Sequence, residues 1–352
     1  MEIVFWLSFV FVFYVYVGYP AILVACRKLV ARPHRKAYYE PSVSIVIAAH
    51  NEIERIEKKL ANCFALAYPK RKLQIIVSLD GPTDGTECAV WKYAAQGVEI
   101  VHSKEHRGKA SALNRAMRRA TGEIVVFADV RQTFDDRAVL ELTANFADEE
   151  VGAASGELLL IDESGAEAMT DVGLYWRYEK ALRAMESDVH SIAGATGAIY
   201  AIRRELYEEL PEETLIDDVL IPMRIILGGK RTVFDPGARA YDSVACCAQA
   251  EYRRKVRTLA GNYQLLIQLP QVVMPWRNPI FVQFLSHKVG RLLVPYALLA
   301  LFVSNVFLVH GIYVLFFSFQ SAWYLSAAAG YLLARREVRP SIRVADDGKR
   351  AA

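Results

Sequence analysis

Residues 3–26 contain no charged side chain, and neither do residues 292–334. Crossing a bilayer takes about 20 consecutive apolar residues. The first stretch therefore predicts one transmembrane helix, and the second predicts two, hinged near Asn305 to Gly311. Between these regions the pattern changes. Ser44-Ile45-Val46-Ile47-Ala48 reads as a continuous apolar strand, after which Ile53, Ile56, Leu60 and Phe64 recur at the spacing of a helix face. Residues 73–79 and 97–102 read as a second and third strand, and residues 123–128 as a fourth. Leu113, Ala116, Met117 and Ala120 mark one face of another helix. Strands apolar on both faces and separated by helices predict an α/β domain whose mainly parallel sheet is covered on both sides. Such sheets bind ligands at the carboxyl ends of their strands. Glu52, Asp80 and Asp129 each lie within a few residues of such an end.

From Gly261 to Gly290 the chain mixes Pro270, Pro275 and Pro279 with Trp276, Arg277, Phe281, Phe284 and Lys288. That mixture predicts a broken amphipathic segment in the membrane interface. The resulting plan is a transmembrane helix over 1–26, a basic linker over 27–40, an α/β domain over 41–260, an interfacial segment over 261–290, a transmembrane hairpin over 291–334 and a basic tail over 335–352.

Charge orients the plan. The flank after the first span holds Arg27, Lys28, Arg32, His34, Arg35 and Lys36. The tail holds Arg335, Arg336, Arg339, Arg343, Lys349 and Arg350, whereas the turn at His310-Gly311 has neither Lys nor Arg. The positive-inside rule puts flank, tail and α/β domain on the cytoplasmic side of an inner or plasma membrane. Met-Glu-Ile supplies no basic n-region and the apolar run exceeds a secretory h-region, so the first span reads as a retained anchor. The 352 residues are 53% hydrophobic, with mean hydropathy +0.16 and a net charge of +3. That excess sits largely in the membrane flanks, so nothing points to a nucleic-acid partner. Cys26, Cys63, Cys88, Cys246 and Cys247 have no metal-ligand spacing, and a reduced compartment is the simplest account of them.

The soluble part carries an ordered set of short motifs. They are Ala-Ala-His-Asn-Glu (48–52), Ser-Leu-Asp-Gly-Pro-Thr-Asp-Gly (78–85), Arg-Gly-Lys-Ala-Ser-Ala-Leu-Asn (107–114), Phe-Ala-Asp-Val (127–130), Thr-Gly-Ala-Ile-Tyr-Ala-Ile-Arg-Arg (196–204), Ile-Asp-Asp-Val (216–219) and Arg-Lys-Val-Arg-Thr-Leu-Ala-Gly (254–261). Singly, each has a plain reading. Glu52 suits a helix N-terminus, Asp80 suits a turn, Asp84 and an Asp of the 217–218 pair suit helix caps, and the 253–257 arginines and lysine suit anionic lipid headgroups. There is no Gly-x-x-x-x-Gly-Lys-Ser/Thr sequence, which speaks against P-loop phosphotransfer.

Taken in order, the motifs resemble glycosyltransferase family 2, and within it the membrane-anchored bacterial members that build exopolysaccharide, capsule or glycolipid. The likeness covers roughly 41–261 together with the span pattern. It implies a GT-A fold, Rossmann-like, and an inverting transfer of the hexosyltransferase type from a nucleoside diphosphate sugar, most often a UDP-sugar. By the resemblance, Glu52, Asp80, Arg107, Lys109, Asn114, Asp129, Arg131, Arg254 and Arg257 contact the donor. Asp129 matches the first carboxylate of the family's Asp-x-Asp motif and becomes the Mg²⁺ or Mn²⁺ ligand, but Arg131 stands where the second acid is expected. Asp217 and Asp218 match the acidic pair, with Asp218 as general base. Arg254 and Arg257 align with the Gln-Arg-x-Arg-Trp element of processive synthases, where Arg254 replaces Gln and Thr258 replaces Trp. The expected acceptor is lipid-linked or a membrane-proximal saccharide, with membrane lipids and members of a polysaccharide assembly complex as further partners. Two alternatives stay open at this point: a processive polysaccharide synthase, and a catalytically silent membrane scaffold.

Overall fold

The computed structural model describes residues 1–161, 173–243 and 248–347; the side chains of 173, 174, 248–251 and 334–347 are outside the description, as are Cys246 and Cys247. In chain order the elements are α1 (Glu2–Phe13), α2 (Tyr19–Val30), β1 (Val43–Ala49), α3 (Ile56–Ala65), β2 (Leu73–Asp80), α4 (Thr86–Trp91), β3 (Val98–Ser103), α5 (Lys109–Met117), β4 (Ile124–Ala128), β5 (Thr133–Phe134), α6 (Ala138–Ala144), β6 (Val151–Ile161), α7 (Gly173–Val189), β7 (Ile199–Arg203), α8 (Asp217–Leu227), β8 (Arg231–Ser243), α9 (Ala248–Gln268), α10 (Phe281–Phe284), α11 (Gly290–Val306) and α12 (Ile312–Asp347). A π-helical turn over Tyr14–Gly18 links the first two helices.

Residues Tyr19–Val289 form one compact unit, built on a sheet of order β3-β2-β1-β4-β7-β6-β8-β5. The four strands legible in the sequence are its parallel half: β1 runs parallel to both β2 and β4, and β2 to β3. The other half is mixed, because β7 runs antiparallel to β4 and β6 while β8 pairs parallel with β6. Register sets what meets at the edge. Ala49 pairs with Leu79, Ala128 with Ile47, and Ala128 with Ile199 across the antiparallel pair. Residues 50, 80 and 129 therefore leave the sheet along one edge, where the 194–198 segment enters it.

Both faces are covered, as apolar strands require. Val43, Ile45 and Ile47 pack with Ile56, Leu60, Ala89, Val139 and Leu142 on one side; Val46 packs with Leu113, Ala116, Val219, Leu220 and Met223 on the other. Each buried Val, Ile or Leu contributes roughly 1.5–3 kcal/mol. Ser44, buried within β1, is satisfied: it donates to Gln74 Oε1 (2.5 Å) and accepts from the Gly122 amide (2.8 Å).

Residues Met1–Gly18 and Gly290–Ala352 form the other compact unit. Phe5 is fully buried there against Leu301 and Leu308, with the Tyr313 and Phe316 rings edge-on at 5.1 and 5.4 Å. Among the described residues, three helical stretches are long and apolar enough to cross a membrane: Glu2–Val30, Phe281–Val306 and Ile312–Leu333. The second begins at 281 rather than 291, because 281–289 is itself helical and runs into α11. The break between the last two falls at the expected hinge. α9 runs through residue 261, where the sequence reading placed a boundary.

Candidate active site

The Asp-Gly-Pro-Thr-Asp-Gly motif leaves the end of β2. Gly81 follows in the left-handed region at φ +60°, and a Cβ there would lie 2.6 Å from the His106 amide nitrogen, so no other residue fits. This close approach lets Asp80, itself buried, latch the loop ahead of α5. Its carboxylate accepts from the backbone amides of Arg107 (3.2 Å) and Gly108 (2.7 Å), from Arg115 Nη2 (2.7 Å) and lies 2.8 Å from His106 Nδ1. Burial alone would raise the Asp80 pKa, but Arg115 and the two amides outweigh it and hold the carboxyl below the usual range. The His50 ring stacks on His106 with centroids 3.9 Å apart, and its Nδ1 lies 2.7 Å from the Asp80 carbonyl. A cavity of about 440 Å³ opens beside the latch, lined by Ser103, Arg107, Ser111, Arg115 and Glu212 among others.

A second cluster forms around the first residue of α5. Lys109 Nζ donates to Asp129 Oδ1 at 2.9 Å and lies 3.2 Å from Asp217 Oδ1. Burial would lower its pKa, but Asp129 and Asp217 more than compensate, so the ammonium stays charged. Asp217 is buried at the start of α8 and accepts from the Tyr200 hydroxyl at 3.1 Å. Burial and Asp217 push the phenol's pKa well above its ordinary value, which keeps it a donor. Asp218 follows, half-buried, and among the described residues its carboxylate takes no hydrogen bond. Burial first, then the Asp217 charge, raises the Asp218 pKa to about 6 against the lowering effect of Lys109. Three carboxylates and one ammonium from β4, α5 and α8 thus meet at one place.

Several expected site residues have partners within the protein. Asn114 acts as a brace: its amide donates to the Leu210 carbonyl (2.8 Å) while its Oδ1 accepts from Tyr207 Oη (2.7 Å) and the Leu210 amide (2.9 Å). Arg131 Nη2 donates to Asp242 Oδ2 at 2.5 Å, while 44% of the side chain stays exposed. The Glu52 carboxylate meets Arg55 (3.2 Å) at the entry to α3, while its amide donates to Thr86 Oγ1 (2.7 Å). The Arg107 side chain pairs with Glu105 (2.8 Å), so its amide rather than its guanidinium meets Asp80. Arg254 and Arg257 lie on α9, and Arg257 is exposed. The C-terminal half of α9 is held to the chain ahead of Asp217, where Gln264 accepts from the Leu215 amide (3.0 Å) and donates to the Glu213 carbonyl (2.8 Å). Asp84 accepts from the Thr86 amide (2.9 Å) at the first turn of α4 and from the Ile53 amide (3.1 Å). Sequence reasoning missed Arg115, Tyr200, His106 and Asp242. Of these, Tyr200 lies within the 196–204 motif and Arg115 directly follows the 107–114 motif on α5.

No group of three or more His, Cys, Asp and Glu side chains converges on a metal position among the described residues. One exposed carboxylate at a strand end still suits Mg²⁺ or Mn²⁺, which commonly take one or two carboxylates and complete their shell with water and substrate phosphate. Asp129, with 39% of its side chain exposed and Lys109 on Oδ1, is that carboxylate.

A family model described as Glycosyl transferase family 2 matches residues 44–211. A poly-beta-1,6-N-acetyl-D-glucosamine synthase of Staphylococcus aureus is 23% identical over 231 residues, covering 64% of this chain and 56% of its own. A probable glycosyltransferase, YdaM, of Bacillus subtilis is 26% identical over 249 residues, with 65% and 57% covered. The chain thus spans little more than half the length of these relatives. The solved structure of a Pyrobaculum calidifontis mannosyltransferase, in complex with GDP-Man and Mn²⁺, superposes with TM-score 0.66 at 23% identity over 94% of this chain and 99% of that one. The fold is accordingly of the GT-A type, as the motif order implied.

Proposed function

We propose, from the match of residues 44–211 to the glycosyl transferase family 2 model, a membrane-anchored inverting glycosyltransferase. It moves a sugar from a nucleoside diphosphate donor, by preference a UDP-sugar, to a hydroxyl of a lipid-linked or membrane-proximal saccharide in cell-surface polysaccharide or glycolipid synthesis. The observation that carries this reading is the meeting of Asp129, Lys109, Asp217 and Asp218 at the carboxyl edge of the sheet.

Each residue then has a task. Asp218, with a pKa raised to about 6, is ionised at neutral pH yet basic enough to take a proton. It removes the acceptor hydroxyl proton as that oxygen bonds to the anomeric carbon; the bond from that carbon to the diphosphate breaks on the opposite face, and the nucleoside diphosphate leaves. Lys109 holds Asp129 and Asp217 in register and, at the N-terminus of α5, presents charge and free amides to the diphosphate. Asp80 keeps the 105–108 loop closed for the nucleoside, and Arg107, on that loop, would meet the phosphates by exchanging Glu105 for them. Asp129 would hold Mg²⁺ or Mn²⁺. That ion, when bound, offsets charge on the leaving diphosphate. The three apolar stretches anchor the domain on the cytoplasmic face and confine the search for an acceptor to the surface.

The test is nucleoside diphosphate release by the solubilised full chain across UDP- and GDP-sugars, with native lipids and with or without Mn²⁺. Release from one donor, abolished in Asp129→Ala and Asp218→Asn, supports the reading. Silence with no nucleotide binding sinks it and favours a scaffold. Similarity to the Staphylococcus aureus poly-beta-1,6-N-acetyl-D-glucosamine synthase favours a second reading, repeated addition to one growing chain. Thr258 in place of an aromatic platform favours a single transfer. Product length decides, since long polymers from the purified protein alone would select the processive reading.

A further inference from the structure

No motif includes α7, yet one of its side chains reaches the surroundings of the base. Arg183 donates from Nη1 to Thr196 Oγ1 (2.5 Å) and from Nη2 to the Gly194 carbonyl (3.1 Å). Its guanidinium also lies 5.4 Å from the ring centroid of Phe234 on β8. The strip it grips, residues 194–197, wraps Asp218. The Ala195 amide donates to the Asp218 carbonyl at 2.6 Å, and a Cβ on Gly197 would lie 3.0 Å from Asp218 Oδ2. Any shift of this strip is therefore felt by both the main chain and the carboxylate of Asp218.

The helix holding Arg183 is itself well anchored. Glu186 Oε1 accepts from Tyr19 Oη (2.6 Å) and lies 2.8 Å from His287 Nδ1, while His287 Nε2 lies 2.9 Å from Glu179 Oε1. Ser187 Oγ accepts from the Phe234 amide (2.9 Å), and the Ser187 carbonyl from Arg231 Nη2 (2.9 Å). Arg183 thus braces this anchored helix against the strip, which is fastened as well by the Thr196 amide on Ser155 Oγ (2.9 Å).

We propose that Arg183 is a positioning residue for Asp218: by clamping the 194–197 strip from α7 it fixes the orientation of the base and keeps Gly197 at the spacing that leaves Oδ2 uncovered. The two charges also interact, so the guanidinium adds to Lys109 and Lys288 in favouring the ionised carboxylate, against burial, Asp217 and Asp129. This inference rests on Asp218 being the base.

The planar fork of Arg and the point charge of Lys separate the two effects. In the full-length protein with native lipids, Arg183→Gln is expected to lower kcat by about 10–100-fold, the scale of a misplaced catalytic group. Donor KM and nucleotide binding stay near wild type, and the acid limb of the acceptor kcat/KM profile moves upward. Arg183→Lys retains the charge, so its limb stays near the wild-type position while kcat remains low. Thr196→Val, which removes one acceptor of the clamp, lowers kcat less and adds little to Arg183→Lys in the double variant. Near-wild-type kcat with an unmoved limb in Arg183→Gln overturns the proposal, as does a loss confined to nucleotide binding. If Arg183→Gln does not fold, near-wild-type kcat in both Arg183→Lys and Thr196→Val overturns it equally. Asp218→Asn is measured alongside: substantial activity there removes the base assignment, whereas a dead Asp218→Asn beside an unaffected Arg183→Gln removes only the clamp.

Discussion

Lys109 is the residue on which the site's electrostatics turn. Its ammonium neutralises part of the field of Asp129, Asp217 and Asp218, and without it three carboxylates would face one another. Lys109→Met should reduce sugar transfer by about 100-fold or more, the range of a lost electrostatic contact in a water-poor site. It should also move the pH profile. A general base works deprotonated, so acceptor kcat/KM in the wild type rises as pH climbs through about 6 and levels above it. Removing the cation destabilises ionised Asp218 and shifts that limb to higher pH. A limb that stays in place, or moves down, in Lys109→Met counts against Asp218 as the titrating group. Tyr200→Phe leaves Asp217 with one donor fewer and should cost about 1 kcal/mol of stability, measured by denaturant titration, because the lost bond is buried.

Among the elements, β2 and the loop ahead of α5 act together through one carboxylate. Removing Asp80 leaves the Arg115 guanidinium, largely covered, without its partner and frees the Arg107 and Gly108 amides. Asp80→Ala should therefore destabilise the domain by about 3 kcal/mol, or roughly 5–10 °C in Tm, and raise donor KM. Gly81→Ala meets the His106 backbone at 2.6 Å and should open the same loop without touching any charge. Calorimetry with nucleotide titration separates the cases: a variant that keeps wild-type Tm and nucleotide affinity is incompatible with the latch. The long pairing of β6 and β8, by contrast, builds the half of the sheet that supports Arg131 through Asp242.

At the scale of the whole molecule, charge asymmetry predicts orientation. A single cysteine at position 88, which is exposed on α4, should react with a membrane-impermeant maleimide only in inside-out vesicles, and His310→Cys only in right-side-out cells. Labelling of both from one side would overturn the topology of three spans.

What the sequence determined by itself was whatever depends on local order. Unbroken apolar runs specify spans, and strands apolar on both faces specify a covered parallel half-sheet, because burial acts on neighbouring residues. The motif order grouped Asp129, Lys109 and Asp217-Asp218, and in the structure Lys109 comes within hydrogen-bond distance of Asp129 and Asp217. The mixed half of the sheet was not legible: β8 contains Pro236 and Gly237 with Asp235, Asp242 and Arg239, and its partners are set by register across distant segments. Only tertiary structure decided which side chains find each other. Arg131 with Asp242, Asn114 with Leu210, Asp80 with Arg115 and Arg183 with Thr196 are contacts between residues 13 to 111 positions apart. A hydrogen bond depends on distance and angle in space, and a residue's type and place in the chain specify neither.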